Sequence, residues 1–259
     1  SEAGQIDEIN FSRSGVKCLS DVLWDTVSQK LYVVSHLYST TAVSTSTTSQ
    51  WGRLYRYTYN SGSQSYTLDP AFPVTVSKAR TETLVLAKDS RDKLWVTYVE
   101  NGQVMVNRSL SSDLAWGEPF ALPVDPQAVS VTTNDISSIL AFGGSSIGVM
   151  WSNGLQDKFY FTLHRDGDPD NVWQPVETTL AGPGISNDHV NLKADSAGRV
   201  YAAIKTSLSG SASPVLLPLV RNNQQWASYV FGTGAEDHTR PILLLDEVQS
   251  RIYLFARSA

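Results

Sequence analysis

VNLKADSAGRVYAAIK at residues 190–205 and ILLLDEVQSRIYLFA at 242–256 follow one plan: an apolar run, a short polar turn and a second apolar run. Three more stretches repeat it: VLWDTVSQKLYVVS (22–35), LVLAKDSRDKLWVTYV (84–99) and SILAFGGSSIGVMWS (138–152). Equivalent positions recur at a step of 63 from Lys30 to Lys93, then at 52 from Gly148 to Val200 and again at 52 from Arg199 to Arg251. A constant period in the range of 20 to 50 or so residues is the mark of a repeat architecture.

Each repeat reads as a hairpin of inner strands. Runs such as Leu243-Leu244-Leu245 and Leu31-Tyr32-Val33-Val34 lack alternation, as strands buried on both faces do. The segments that follow them alternate: Tyr55, Tyr57 and Tyr59 against Leu54, Arg56 and Thr58, and Phe159, Phe161 and Leu163 against Tyr160, Thr162 and His164. Alternation predicts half-exposed strands, with His164 on the surface. Asn-Gly pairs at 101–102 and 153–154 add turn signals, and helical periodicity is absent.

Together these features predict an all-β chain, residues 1–259 as a single β-propeller of about five four-stranded blades. A pair of β-sandwiches is the competing architecture. The fifth repeat has only its two inner strands, so its outer half must come from elsewhere. Gln5–Ser12 (QIDEINFS), with apolar Ile6, Ile9 and Phe11, is the expected closing strand, and the alternative is a fragment of a larger propeller or completion by a neighbouring chain.

Composition narrows the partners. A net charge of −5 and a pI near 5.3, with no cluster of Lys and Arg, give no electrostatic footprint for nucleic acid. No apolar run approaches the roughly 18 residues needed to span a bilayer. Cys18 is the single cysteine, and no Cys/His set has zinc-ligand spacing, so neither a metal nor a cofactor is expected. Eight Lys beside abundant Ser, Thr and Asn suggest an exported protein, extracellular or at a cell surface. The stretch 35–50 holds ten Ser or Thr in sixteen residues and reads as an extended loop. Asn10 and Asn107 stand in glycosylation sequons.

DGDPDNVW, residues 166–173, places Asp166, Asp168, Asp170 and Trp173 at the spacing of the sialidase-type Asp box, and SSDLAW (111–116) is a shortened version. The chain thus resembles the sialidase-like propeller superfamily, which implies a turn-stabilising role for these residues and a glycan as partner. Asp stands where the box has Ser and Gly, and Val172 where it has Thr. The sialidase set of three arginines, a Tyr/Glu pair and an acid is not legible; Arg80, Arg240 and Arg257 are the arginines that could converge.

Ligands of such discs bind at one mouth of the central channel, in loops that precede the innermost strands or follow the second ones. A site for acidic sugars needs cations to hold a carboxylate and a base for the neighbouring proton. Arg240 and Lys205 are the candidate clamp, and His189 or His238 the candidate base. His36, Glu82, Asp135, Asp188 and Arg257 are the further candidate binding residues, and Glu82, Asp135 and Asp188 would serve a glycosidase of the two-carboxylate type. Each has a structural alternative: an Asp at the start of a strand, Asp21 included, more often ties down backbone amides between blades. Three functions therefore stand open: a glycan lyase or glycosidase, a non-catalytic glycan-binding module, and a structural or interaction module of a surface or filament assembly.

Overall fold

The computed structural model describes residues 17–38, 52–79 and 81–258. Among these residues, five antiparallel sheets follow one another along the chain. The first contains β1 (Lys17–Asp25), β2 (Lys30–Tyr38), β3 (Gly52–Asn60), and an outermost strand in two pieces, β4 (Ser65–Leu68) and β5 (Val74–Ser77), both paired with β3. The second is β6 (Val85–Lys88), β7 (Leu94–Glu100), β8 (Gln103–Arg108) and β9 (Phe120–Ala121). A single helical turn, α1 (Pro126–Val129), leads to the third sheet: β10 (Ser137–Phe142), β11 (Ser146–Asn153), β12 (Lys158–Arg165) and β13 (Glu177–Ala181). The fourth is β14 (Val190–Ala194), β15 (Val200–Lys205), β16 (Pro214–Asn222), and again a split outer strand, β17 (Gln225–Ser228) and β18 (Gly232–Thr233). Among the described residues the fifth has β19 (His238–Asp246) and β20 (Arg251–Ser258) only.

The first strands β1, β6, β10, β14 and β19 pack in succession, which sets them around a common hub. Apolar layers fill the spaces between sheets. Tyr32, Val34 and Leu54 meet Leu86, Val96 and Tyr98; Trp95 and Val106 meet Val149 and Trp151; Met150 and Phe161 meet Val200 and Leu219. Burying one such large side chain contributes about 1.5–3 kcal/mol, so these layers supply the main driving force. The last layer is thin: Tyr201 and Ala203 against Leu243, with Leu254 beside them. Close approach also fixes a glycine. A Cβ at Gly148 would stand 2.5 Å from Cζ of Phe161 on the neighbouring strand.

Because every inner sheet is covered on both faces, the third strands are not half-exposed as their alternation predicts. On β12, Phe159 and Phe161 pack toward the fourth sheet and Tyr160 toward the second. His164 is not on the surface either: it is 1% exposed, wedged between Trp95 and Trp173, and its Nδ1 lies 2.9 Å from the Val172 carbonyl. Asn107 is equally buried and donates to the Val76 carbonyl, so this sequon offers no accessible amide. Asn101 and Gly102, both at positive φ, form the expected two-residue turn between β7 and β8. Asn153 instead ends β11 and ties down the carbonyls of Ala128 and Ser130.

The Asp and Trp turns act as clips between sheets. Trp173 donates through Nε1 to the carbonyl of Asp170 at 3.0 Å, and Trp116 does the same to Asp113 at 3.0 Å. Each carboxylate then reaches back to the preceding sheet: Asp170 to Lys93 and Arg108, both at 2.6 Å, and Asp113 to Arg56 and Tyr32. Asp166 accepts from the amide of Ser90.

Among the described residues, none covers one face of the fifth sheet. The pairs Ile242–Phe255 and Leu244–Tyr253 put four apolar side chains on one side of it, with Ile242 55% and Phe255 57% exposed. On the first sheet Val22 and Trp24 are exposed as well. Gln5–Ser12 and most of the Ser/Thr-rich stretch lie outside the described residues.

Candidate functional site at the channel mouth

A cavity of about 570 Å³ opens where the first strands begin. Glu82 and Thr83 precede β6, Ile136 precedes β10, Asp188 and His189 lead into Val190 and Asn191 of β14, and Arg240, Pro241 and Ile242 come from β19. Polar groups stand on an apolar floor of Ile136, Val190, Pro241 and Ile242, the usual chemistry of a small-ligand pocket.

Arg240 reaches the cavity through a break in its strand. The register of β19 on β20 shifts between Thr239 and Ile242, and the two residues between them leave the ladder. Pro241 has no N–H to offer a neighbour, and Arg240 sits at φ 55°, a left-handed conformation costly for a residue with a Cβ. Its guanidinium is exposed and, among the described residues, makes no ion pair.

His189 is held from both sides. Its Nδ1 lies 2.7 Å from Asp188 Oδ1 and 2.9 Å from Asn187 Oδ1, two acceptors that assign the ring proton to Nδ1. Nε2 is left as the acceptor, 3.5 Å from Thr239 Oγ1. Lys205, at the end of β15, donates to the same hydroxyl at 3.2 Å. The hydrogen bond from His189 holds the Asp188 carboxyl below the usual carboxylate range, helped by the charge of Lys205, so Asp188 remains the anion of the group.

The predicted residues thus divide. Glu82, Asp188, His189 and Arg240 line one cavity, with Lys205 joined to it through Thr239. His36 supports the rim from below: it is 1% exposed, its Nε2 lies 2.9 Å from the Glu82 carbonyl, and burial pushes it down to about 4. A neutral ring of that kind donates Nε2–H and does not bind an anion. Asp135 does not face the cavity; its oxygens accept from Thr132, Ser152 and Gly154, which makes it a turn clamp. His238 lies beside Gly232 of β18, away from the lining. Arg257, opposite Thr239 in the ladder, is exposed and also outside the lining. Asp166 borders a different cavity, formed by the turns at the far ends of the inner strands. Asp168 and Asp170 sit in the same turn.

Arg80 lies outside the described residues and Arg257 outside the cavity, so the described residues do not assemble a three-arginine cluster. No tyrosine is among the described residues that line the cavity. Asn187 and Thr239 complete the histidine's surroundings. Nothing in the sequence around Thr239 marks its hydroxyl; the packing of β19 beside β14 brings it to His189.

No protein-family model and no curated protein matches the sequence. Solved structures do. A protein of unknown function from Dyadobacter fermentans is 10% identical with a TM-score of 0.64 over 94% of this chain and 76% of its own. An α-L-arabinanase from Penicillium chrysogenum, solved with arabinobiose, is 9% identical with a TM-score of 0.59 over 95% and 78%. The NanB sialidase from Streptococcus pneumoniae is 11% identical with a TM-score of 0.58 over all of this chain and 56% of its own. At such identities the likeness is one of architecture, and with the five sheets around their hub it makes this chain a β-propeller.

Proposed function

We propose that the chain is an exported glycan-handling propeller that holds an acidic sugar at the channel mouth and acts on it there. The observation that carries the reading is the joining of an unpaired cation, Arg240, and an oriented base, His189, in one cavity. Arg240 and Lys205 neutralise the carboxylate, which acidifies the hydrogen on the adjacent carbon. His189 Nε2 takes that proton, the electron pair forms a double bond, and the glycosidic C–O bond breaks with the leaving oxygen protonated from water. That two structures of the same architecture are an arabinanase and a sialidase supports a sugar as ligand. Composition supports export.

The test is incubation with uronate polymers. Ultraviolet-absorbing, unsaturated ends are expected, together with binding that disappears in Arg240→Ala. New reducing ends without that absorbance would replace elimination by hydrolysis, with Glu82 and Asp188 as the carboxylates. Absence of binding to any acidic glycan would overturn the reading.

The open apolar face of the fifth sheet favours a second role, as an interaction module whose last blade is completed by a neighbouring chain. Light scattering showing a monomer at all concentrations would count against it.

A further inference from the structure

We propose that Thr239 is a nucleophile and that Asp188, His189 and Thr239 form an acid–imidazole–hydroxyl triad that cleaves carboxylic esters at the channel mouth. The acyl chemistry stands on this geometry alone; only the identity of the alcohol, a hydroxyl of the bound sugar, rests on the glycan reading above.

The hydrogen bonds form a consistent chain. Asn187 Oδ1 accepts from Nδ1 of His189 at 2.9 Å and Asp188 Oδ1 stands 2.7 Å from the same nitrogen, which leaves the Nε2 lone pair toward Thr239. The Thr239 hydroxyl, 3.5 Å away, has its proton directed to that nitrogen because its oxygen already accepts from Lys205 at 3.2 Å. A separation of this size is common before a substrate tightens the contact. Acid, base and hydroxyl occupy the roles that define a triad, whatever the fold that supplies them.

Lys205 adds what an ordinary triad lacks. An ammonium beside the hydroxyl favours its alkoxide, which offsets the poorer nucleophilicity of a β-branched alcohol. Arg240, the next residue along, supplies a cation where the carbonyl oxygen gains charge. Thr239 stays in the ladder opposite Arg257, on the strand that packs beside β14, and the bulge that ejects Arg240 begins directly after it.

The step balances without a cofactor. Thr239 Oγ1 bonds to the ester carbonyl carbon as its proton passes to His189 Nε2. The C–O ester bond breaks, and the departing alcohol takes that proton. Water then attacks the acyl-threonine, gives a proton to His189, and releases the carboxylic acid as Thr239 recovers its hydrogen.

The test uses the full chain with p-nitrophenyl acetate and, separately, a fluorophosphonate label. Saturable hydrolysis is expected, reduced about a hundredfold or more in Thr239→Ala and in His189→Ala, with the double variant no worse than either single one, as for groups acting as a unit. Thr239→Ser should retain turnover, and its melting temperature together with that of Thr239→Ala shows whether the fold is intact. Mass spectrometry should place the label on Thr239. Undiminished hydrolysis in a folded Thr239→Ala variant, label on Lys205 instead, or no hydrolysis by the native chain would each overturn the triad. Loss of glycan binding with hydrolysis retained would overturn the sugar reading and leave the triad standing.

Discussion

Oδ2 of Asp21 accepts the backbone N–H of Leu86 at 2.9 Å, linking the first strand of one sheet to the first strand of the next. Asn191 Oδ1 does the same for Leu243, again at 2.9 Å. One junction uses an acid and the other an amide, and burial raises the Asp21 carboxyl above its usual range despite the amide hydrogen bond. The folded state therefore holds the Asp21 proton more tightly than the unfolded one. Its contribution is fully present below the unfolded carboxyl range and declines as pH rises through the raised value. Asp21→Asn should abolish that decline and be the more stable protein at neutral pH. Asp21→Ala leaves the Leu86 amide without an acceptor and should cost about 1–3 kcal/mol. Urea midpoints in acid and at neutral pH separate the two.

Asp25 behaves oppositely. Burial alone would raise its carboxyl, but hydrogen bonds from Lys88 at 2.6 Å, Ser28 and the amide of Val27 hold it down at about 2. For a depressed acid the stabilisation is present above the unfolded value and is lost as pH falls through the folded one. The native chain should lose about 2 kcal/mol between about pH 4 and pH 2 from this group. Lys88→Met should destabilise at neutral pH and move the acid loss to higher pH. Thermal melts across the acid range measure both, and identical acid profiles for the two proteins would sink the assignment.

The architecture was legible because the inner hairpins bury both faces, so their apolar runs recur undiluted at every repeat. What periodicity could not convey is that neighbouring sheets also cover the third strands: Phe161 and His164 alternate in sequence yet are both buried, because a face polar in composition is closed by Trp95 and Trp173. The mouth was half legible. Residues just before inner strands must converge on the hub, which brings Asp188, His189 and Glu82 together, and the bulge within β19 adds Arg240. Side-chain direction is not contained in that rule. Asp135 precedes an inner strand as Asp188 does, but turns back onto Thr132 and Gly154, and His238 lies one residue outside the bulge that aims Arg240 inward.

His36 should govern stability in mildly acidic solution. Its ring is neutral in the folded state, held down at about 4 by burial, and its Nδ1 has no hydrogen-bond partner among the described residues. The unfolded histidine takes a proton near 6.5, so stability is intact above that value and falls by about 3 kcal/mol as pH drops toward 4. His36→Gln keeps a donor for the Glu82 carbonyl and cannot charge. Its unfolding free energy should be flat over this window where the native protein's declines. An equally steep decline in His36→Gln would remove His36 as the cause.

Arg240 sets stability against binding within one residue. At φ 55° its backbone occupies a region that glycine enters freely, and relief of that strain contributes about 1–3 kcal/mol, less the extra backbone entropy that glycine loses on folding. Arg240→Gly should therefore melt higher than the native chain while losing affinity for acidic ligands. Arg240→Ala removes the same cation without relieving the strain, so it should bind as poorly and melt no higher. Arg240→Lys keeps a point charge but not the planar fork that engages a carboxylate through two parallel N–H bonds, and should bind with intermediate strength. Calorimetric titration with a uronate oligosaccharide and thermal melts of the three variants give the comparison. A glycine variant that gains stability and still binds like the native chain would show that the bulge positions some other group, and that the guanidinium is not the anion's partner.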